Sequence, residues 1–363
     1  MPTFKKVAVA PLIGIALVSI IVGYSFLVSE GKTEIVEVTE TAPLAMNDPN
    51  IKETGEVWLN LIKNAAKTID IEAYYLGPAD PPWILNDIYG ALIDAAKNRG
   101  VKVRILIDST QINQMALELK KHENIEVLFW RDGILHSKYM IVDEEVVSVG
   151  SSNLSYYAMA RRGKGGNREI NLTLRDERIA ETYTYIFETG WVKAGGKPRG
   201  AEPVWDEDWL IPVADGPDLI TSTVDAFKKL FDMAERKIYI YMYAYAGAPQ
   251  EVMNAMANAL ERGVKIEFLV DVFSESEWPE ALKELAQFQG VNVSVIDHPY
   301  AAHPKLIIVD DEWAYVGSSN IHPTWMLEGR EAGVLINSEE IIADLLDIFK
   351  RDWGSIYSRS FDF

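Results

Sequence analysis

The 363-residue sequence contains no cysteine. That excludes a disulfide framework and any thiol chemistry. Basic charge is also scarce: Lys and Arg number 35 against 54 Asp and Glu, a formal net charge of −19. A surface of that sign disfavours non-specific adsorption to nucleic acid, anionic lipid or any other polyanion, so an anionic substrate must be drawn in by local positive charge. Histidine is sparse too, with five residues in the chain. No cluster of metal-ligand spacing is visible among them, and neither a metal nor another cofactor is expected.

Long apolar runs are confined to the N-terminus. Val7 to Val28 are 22 consecutive uncharged, mostly apolar residues, enough to span a bilayer core. Lys5 and Lys6 precede the run and no Lys or Arg follows until Lys32. The positive-inside rule then places the N-terminus in the cytoplasm and the rest outside it. The run is longer than a typical signal-peptide core and no signal-peptidase-like site follows, which favours an uncleaved single-pass anchor over the competing reading, a cleaved signal peptide. Residues 1–29 are read as tip and anchor and 30–50, polar and acidic, as a stalk.

What is present is a stretch that occurs twice. His136-Ser137-Lys138, four residues, Asp143, six residues and Gly150-Ser151-Ser152-Asn153 form the first copy. His303-Pro304-Lys305, Asp310 and Gly317-Ser318-Ser319-Asn320 repeat it at identical spacing. The residues between Lys and Asp are apolar in both, which predicts a short buried strand. On a strand, i and i+2 share a face, so each His projects beside its Lys. An imidazole supplies a nucleophile or a proton carrier, and Lys and Asn supply donors for phosphoryl oxygens. The Asp is expected to orient and charge-support the imidazole. Two such half-sites facing each other provide one His to attack and one to protonate the leaving group.

This duplicated H-x-K-x4-D-x6-G-S-S-N pattern resembles the signature of the phospholipase D superfamily. Two stretches, Gly133-Ile134-Leu135-His136-Ser137-Lys138 and Ile348 to Ser358, are most similar to one branch, the membrane-anchored phospholipase-D-like 5′ exonucleases of animal endolysosomes. The missing cysteines depart from that branch, whose members carry disulfides. The resemblance implies a ping-pong phosphodiesterase with a phosphohistidine intermediate, His136 as nucleophile and His303 as acid. It also implies that Glu169 and Glu331, each in an Arg-Glu pair downstream of G-S-S-N, support the imidazoles.

The rest of the chain follows the duplication. Arg99-Gly100-Val101-Lys102-Val103 and Arg262-Gly263-Val264-Lys265-Ile266 sit at matching places between a helical and a strand-like segment. Alternating helices and strands predict an α/β fold of two similar lobes, each a mixed sheet flanked by helices, over residues 51–192 and 219–363. The Gly- and Pro-rich stretch 193–218 is read as the linker. Ser151 and Ser318, and Arg161, Arg162 and Lys164 of a basic glycine-rich loop, are candidate substrate contacts. Tyr74, Tyr75, Tyr243 and Tyr245 are read as sheet core in preference to stacking platforms, and His122, His298 and His322 as surface residues.

Three functions fit. The first is a single-strand 5′ exonuclease. The second is a phospholipase D or transphosphatidylase of cardiolipin-synthase type. The third, a non-catalytic scaffold, fits poorly with two intact motifs. The partners expected are a phosphodiester substrate, single-stranded nucleic acid or phospholipid, and the membrane through the anchor.

Overall fold

The computed structural model describes residues 35–43, 45–78 and 84–362. The expected span Val7–Val28 lies outside the described residues. Among the described residues, no helix is long and apolar enough to cross a membrane.

The first lobe runs β1 (Val36–Thr41), β2 (Lys52–Glu53), α1 (Thr54–Asn64), β3 (Thr68–Ala73), α2 (Ile84–Arg99), β4 (Lys102–Asp108), α3 (Gln114–Leu119), β5 (Ile125–Trp130), β6 (Ile134–Leu135), β7 (Lys138–Val142), β8 (Val146–Gly150), β9 (Glu169–Arg175) and α4 (Glu177–Lys193). The second runs β10 (Leu210–Ala214), α5 (Thr223–Met233), β11 (Lys237–Met242), α6 (Gln250–Glu261), β12 (Lys265–Asp271), α7 (Val272–Glu277), α8 (Pro279–Ala286), β13 (Val291–Ile296), β14 (Lys305–Val309), β15 (Trp313–Gly317), α9 (Pro323–Glu328), β16 (Gly329–Arg330), β17 (Ala332–Ile336), α10 (Glu339–Trp353) and β18 (Ser358–Ser360). The sheet orders β2-β1-β9-β8-β7-β3-β4-β5 and β10-β17-β15-β14-β11-β12-β13-β18 share one plan. Three parallel strands (β3-β4-β5, β11-β12-β13) join an antiparallel meander through β7 and β14.

Local signals explain these elements. Gly100 and Gly263 follow α2 and α6 with φ of +71° and +93°, the left-handed conformation that stops a helix without a Cβ penalty. Ser222 caps α5 by accepting from the Asp225 amide at 3.1 Å. The period of two along β7 then divides the core. Tyr139 and Ile141 face the cluster shared between the lobes, while Met140 and Val142 face the helices of their own lobe. Strand β14 does the same, with Leu306 and Ile308 inward and Ile307 and Val309 outward. Helices α4 and α10 fill the shared cluster, through Tyr183, Phe187 and Trp191 from one and Ile342, Leu345 and Phe349 from the other.

Two expectations change. Residues 30–50 are not all stalk: Val36–Thr41 is β1, paired antiparallel with β9 along its full length. Val36 and Val38 are buried, and so is the charged Glu40, because Arg168 neutralises it. The linker is likewise shorter than 193–218, since Leu210–Ala214 is β10, paired antiparallel with β17. The two strands are counterparts, each the first strand of its lobe. Beside them, Arg99, Arg262 and the two motif strands fall where the repeat places them.

Candidate active site

The motif strands β7 and β14 each begin at the motif Lys, just after the motif His. The lobes meet there through backbone. Strand β6 pairs parallel with β16 of the other lobe, and the His136 and Ser137 amides donate to the Arg330 carbonyl at 2.9 and 2.8 Å. The His303 amide donates to the Arg168 carbonyl at 2.8 Å. An aspartate at the end of the neighbouring strand pins each approach: Asp108 accepts from Leu135 N at 2.8 Å and Asp271 from Ala302 N at 2.6 Å.

This cross-connection trades carboxylates between lobes. His136 Nδ1 lies 2.8 Å from Glu331 Oε1, and His303 Nδ1 lies 2.8 Å from Glu169 Oε2. Each imidazole is therefore oriented by the other repeat, and Nε2 is the ring nitrogen left for chemistry. The serines hold the carboxylates. Ser151 Oγ donates to Glu169 at 2.6 Å and accepts from Ile170 N at 3.0 Å; Ser318 Oγ donates to Glu331 and accepts from Ala332 N at 2.9 Å. Both hydroxyls are committed to a carboxylate and a backbone amide, so they are positioning groups and not the substrate contacts expected of them. Gly150 lets the next strand come this close, since a Cβ there would sit 2.6 Å from Asn171 Cα.

The two ammonium groups are buried at the same place. Lys138 Nζ donates to the His136 carbonyl, and Lys305 Nζ to the His303 carbonyl at 2.7 Å, leaving further N–H donors on each. Burial lowers Lys138 to about 8 against the pull of Glu331 and Glu169. Burial likewise lowers His136, with Glu331 opposing and Lys138 and Lys305 adding to the depression. It lowers His303 well below the usual imidazole range, reinforced by Lys305, Lys138 and His136. The carboxylates diverge. Burial pushes Glu169 up to about 7 despite the two lysines. Glu331 feels the same burial, but the charge and hydrogen bond of His136 hold it below the ordinary carboxylate range. Lys138 and Lys305 each act on both imidazoles and both glutamates, which makes the six groups one site. Asn320 Oδ1 accepts from Ala244 N at 3.1 Å, leaving Nδ2 as its donor group. Asn153 Oδ1 is buried and has no hydrogen-bond partner among the described residues.

Other expected residues lie elsewhere. Asp143 and Asp310 do not touch the imidazoles. Asp143 accepts from the amides of Ala66, Lys67 and Thr68 at 2.7, 2.6 and 2.9 Å, and Asp310 from those of Glu235, Arg236 and Lys237 at 2.7, 2.8 and 2.8 Å. They tie the far end of each motif strand to the turn before β3 or β11. The basic loop is largely neutralised. Arg161 pairs with Glu56 and Asp87 at 2.7 and 2.8 Å, and Arg162 pairs with Glu53 at 3.3 Å. Lys164 is exposed and has no ion pair among the described residues. Arg168 and Arg330 do not form surface pairs with the adjacent glutamates. They are buried on Glu40 and Asp352, and on Glu72.

The motif reading misses the rings around the site. Tyr74 and Trp325 lie 5.4 and 5.9 Å from His136, and Tyr243 lies 4.8 Å from His303. Tyr245 is core as expected, but Tyr74, Tyr75 and Tyr243 are only half-buried. His322, expected at the surface, stacks on Trp325 at 4.3 Å. The signal for Tyr74 and Tyr243 was their equal place at the ends of β3 and β11; Trp325 had none.

Two mixed sheets that share a duplicated His-Lys-Glu cleft define a phosphodiesterase. The cardiolipin synthase, PLD-like domain family matches residues 58–191 and 227–353, and the chain belongs to the phospholipase D superfamily. Phospholipase D Z of Dictyostelium discoideum is 26% identical, over 89% of this chain and 90% of that one. The 5′-3′ exonuclease PLD3 of Xenopus laevis is 22% identical, over 84% and 76%. In fold, the chain is similar to the phosphatidylserine synthase of Haemophilus influenzae, with a TM-score of 0.69 over 91% and 88% at 15% identity.

Proposed function

We propose that this phosphodiesterase cleaves single-stranded nucleic acid from its 5′ end through a phosphohistidine. The observation that carries the covalent mechanism is the exchange of carboxylates: His136 is held by Glu331 and His303 by Glu169, both through Nδ1. Nε2 of one imidazole attacks phosphorus as the P–O bond to the leaving oxygen breaks. The second imidazole donates its proton to that oxygen. The second imidazole, now neutral, takes a proton from water, whose oxygen displaces the histidine and leaves a phosphomonoester. Lys138, Lys305 and the amide of Asn320 would stabilise the charge that the non-bridging oxygens gain. The resemblance assigns attack to His136. Similarity to an exonuclease supports the nucleic-acid substrate.

A second reading, a phospholipase D or transphosphatidylase, is favoured by the similarity to phospholipase D Z. In either case the run Val7–Val28 would tether the catalytic lobes to a bilayer on the extracytoplasmic side. The purified chain is incubated with end-labelled single-stranded DNA and, in parallel, with phospholipid vesicles plus glycerol. Mononucleotide release from the 5′ end supports the first reading. Headgroup release or transfer to glycerol, without DNA cleavage, supports the second.

A further inference from the structure

The duplication keeps the reacting groups and changes what surrounds them. Asp271 holds the Phe273 amide at 2.8 Å and the Ala302 amide at 2.6 Å; Asp108 holds the Thr110 amide at 2.8 Å and the Leu135 amide at 2.8 Å. Phe273 and Thr110 are therefore equivalent positions. Beyond each motif Asn, Leu154 bridges to Leu76 and Ile321 bridges to Tyr245. The next turn closes from Met159 N to Ser155 O and from Met326 N to His322 O, both at 3.0 Å. That equates His322 with Ser155 and Trp325 with Ala158. At all three positions lobe 2 carries a ring where lobe 1 carries a small group.

The rings are contiguous. Tyr243 stacks on Phe273 at 4.9 Å and 3°, and Phe273 meets Trp278 edge-on at 5.5 Å. Trp278 reaches Trp325 at 6.1 Å, and Trp325 stacks on His322 at 4.3 Å and 15°. One end of the wall adjoins His303 and the other His136. All five rings are half-buried, whereas core aromatics such as Phe268 are fully covered. A contiguous aromatic surface that stays partly uncovered beside the charged groups of both repeats suits a ligand with an apolar face. The wall's two near-parallel pairs, Tyr243–Phe273 and Trp325–His322, suit a flat ring, and Trp278 stands nearly perpendicular between them, at 88° to Phe273 and 86° to Trp325. We infer that this wall is a nucleobase subsite, with Trp325 stacking the base of the nucleotide whose phosphate lies between His136 and His303. The polar flank of lobe 1, with Thr110 and Ser155, faces the other ester group. The inference rests on the nucleic-acid reading above and adds the residues that select the substrate.

The test compares two esters with the same leaving group: p-nitrophenyl thymidine 5′-phosphate and methyl p-nitrophenyl phosphate. Base–aromatic stacking contributes about 1–3 kcal/mol by alanine substitution. The wild type should prefer the nucleoside ester. Trp325→Ala should reduce that preference in kcat/KM by about tenfold or more, mainly through KM, and Trp325→Phe should restore most of it. Phe273→Ala should reduce it as well, which guards against a single misfolded variant. Loss of both esters in equal proportion, or an unchanged preference in both alanine variants, overturns the inference. So does a selective loss of p-nitrophenyl phosphorylcholine turnover, which would assign the wall to a quaternary ammonium group. A wild type that cleaves the methyl ester without preferring the nucleoside also overturns the subsite but leaves the phosphodiester chemistry standing. A wild type that cleaves neither overturns the proposed function with it.

Discussion

At the scale of residues, the site is a set of buried charges whose protonation states depend on each other. The reaction needs one imidazole neutral and one protonated. Burial and the two lysines hold both His136 and His303 below the usual value near 6.5. The general acid loses its proton as pH rises through its pKa, so the alkaline limb of kcat/KM starts below that value. The free enzyme should therefore show an optimum on the acid side of pH 6.5, measured by quenching p-nitrophenyl ester hydrolysis into base. An optimum above pH 7 would contradict the burial of both rings. Lys138, at about 8, stays charged throughout this window.

At the scale of elements, Asp143 shows what a motif residue does when it is not at the cleft. It sits five positions after Lys138 along a strand, about 17 Å away at 3.3 Å per residue. With Glu144 it occupies positive φ, +56° and +61°, at the turn between β7 and β8, as Asp310 and Asp311 do between β14 and β15. Asparagine tolerates this backbone and keeps one acceptor; alanine does neither. Asp143→Asn should keep kcat within a few-fold, while Asp143→Ala should lose about 2–3 kcal/mol in denaturant unfolding. A hundred-fold drop in kcat for the asparagine variant would restore a catalytic role.

The same distance argument was available in the sequence, since strand geometry alone separates Asp from His. The pairing of His and Lys, the strand character of both motifs and the helix stops at Gly100 and Gly263 were also legible, because each depends on local periodicity. Strands β1 and β10 were not. Glu40 is buried by Arg168, distant in sequence, and Pro212 sits in β10, an edge strand where a missing N–H is tolerated. The aromatic wall was hidden for the same reason: Tyr243 follows β11, Phe273 and Trp278 belong to the α7 segment and Trp325 to α9, and only the fold assembles them.

At the scale of the molecule, the lobes are joined by buried ions as well as apolar surface. Arg168, just before β9, pairs with Glu40 and with Asp352 of α10, all within 1% of full burial. Arg168→Ala leaves two buried carboxylates unpaired and should cost about 3–5 kcal/mol in denaturant unfolding. A loss under 1 kcal/mol would mean that this buried ion cluster contributes little to holding the lobes together.

The central claim is that one cleft, built from both lobes, works through a covalent phosphohistidine. Its most direct measurement is mass spectrometry of the chain quenched into base during turnover of a p-nitrophenyl phosphodiester. The wild type and His303→Ala should carry a phosphoryl-ester adduct on His136. In His303→Ala it should accumulate after a burst of p-nitrophenolate, because the proton carrier for the second step is gone. His136→Ala should show neither burst nor adduct. An adduct on His303 instead would reverse the two roles. The account is contradicted if no histidine adduct forms with any of the three proteins, or if both alanine variants turn over at the wild-type rate.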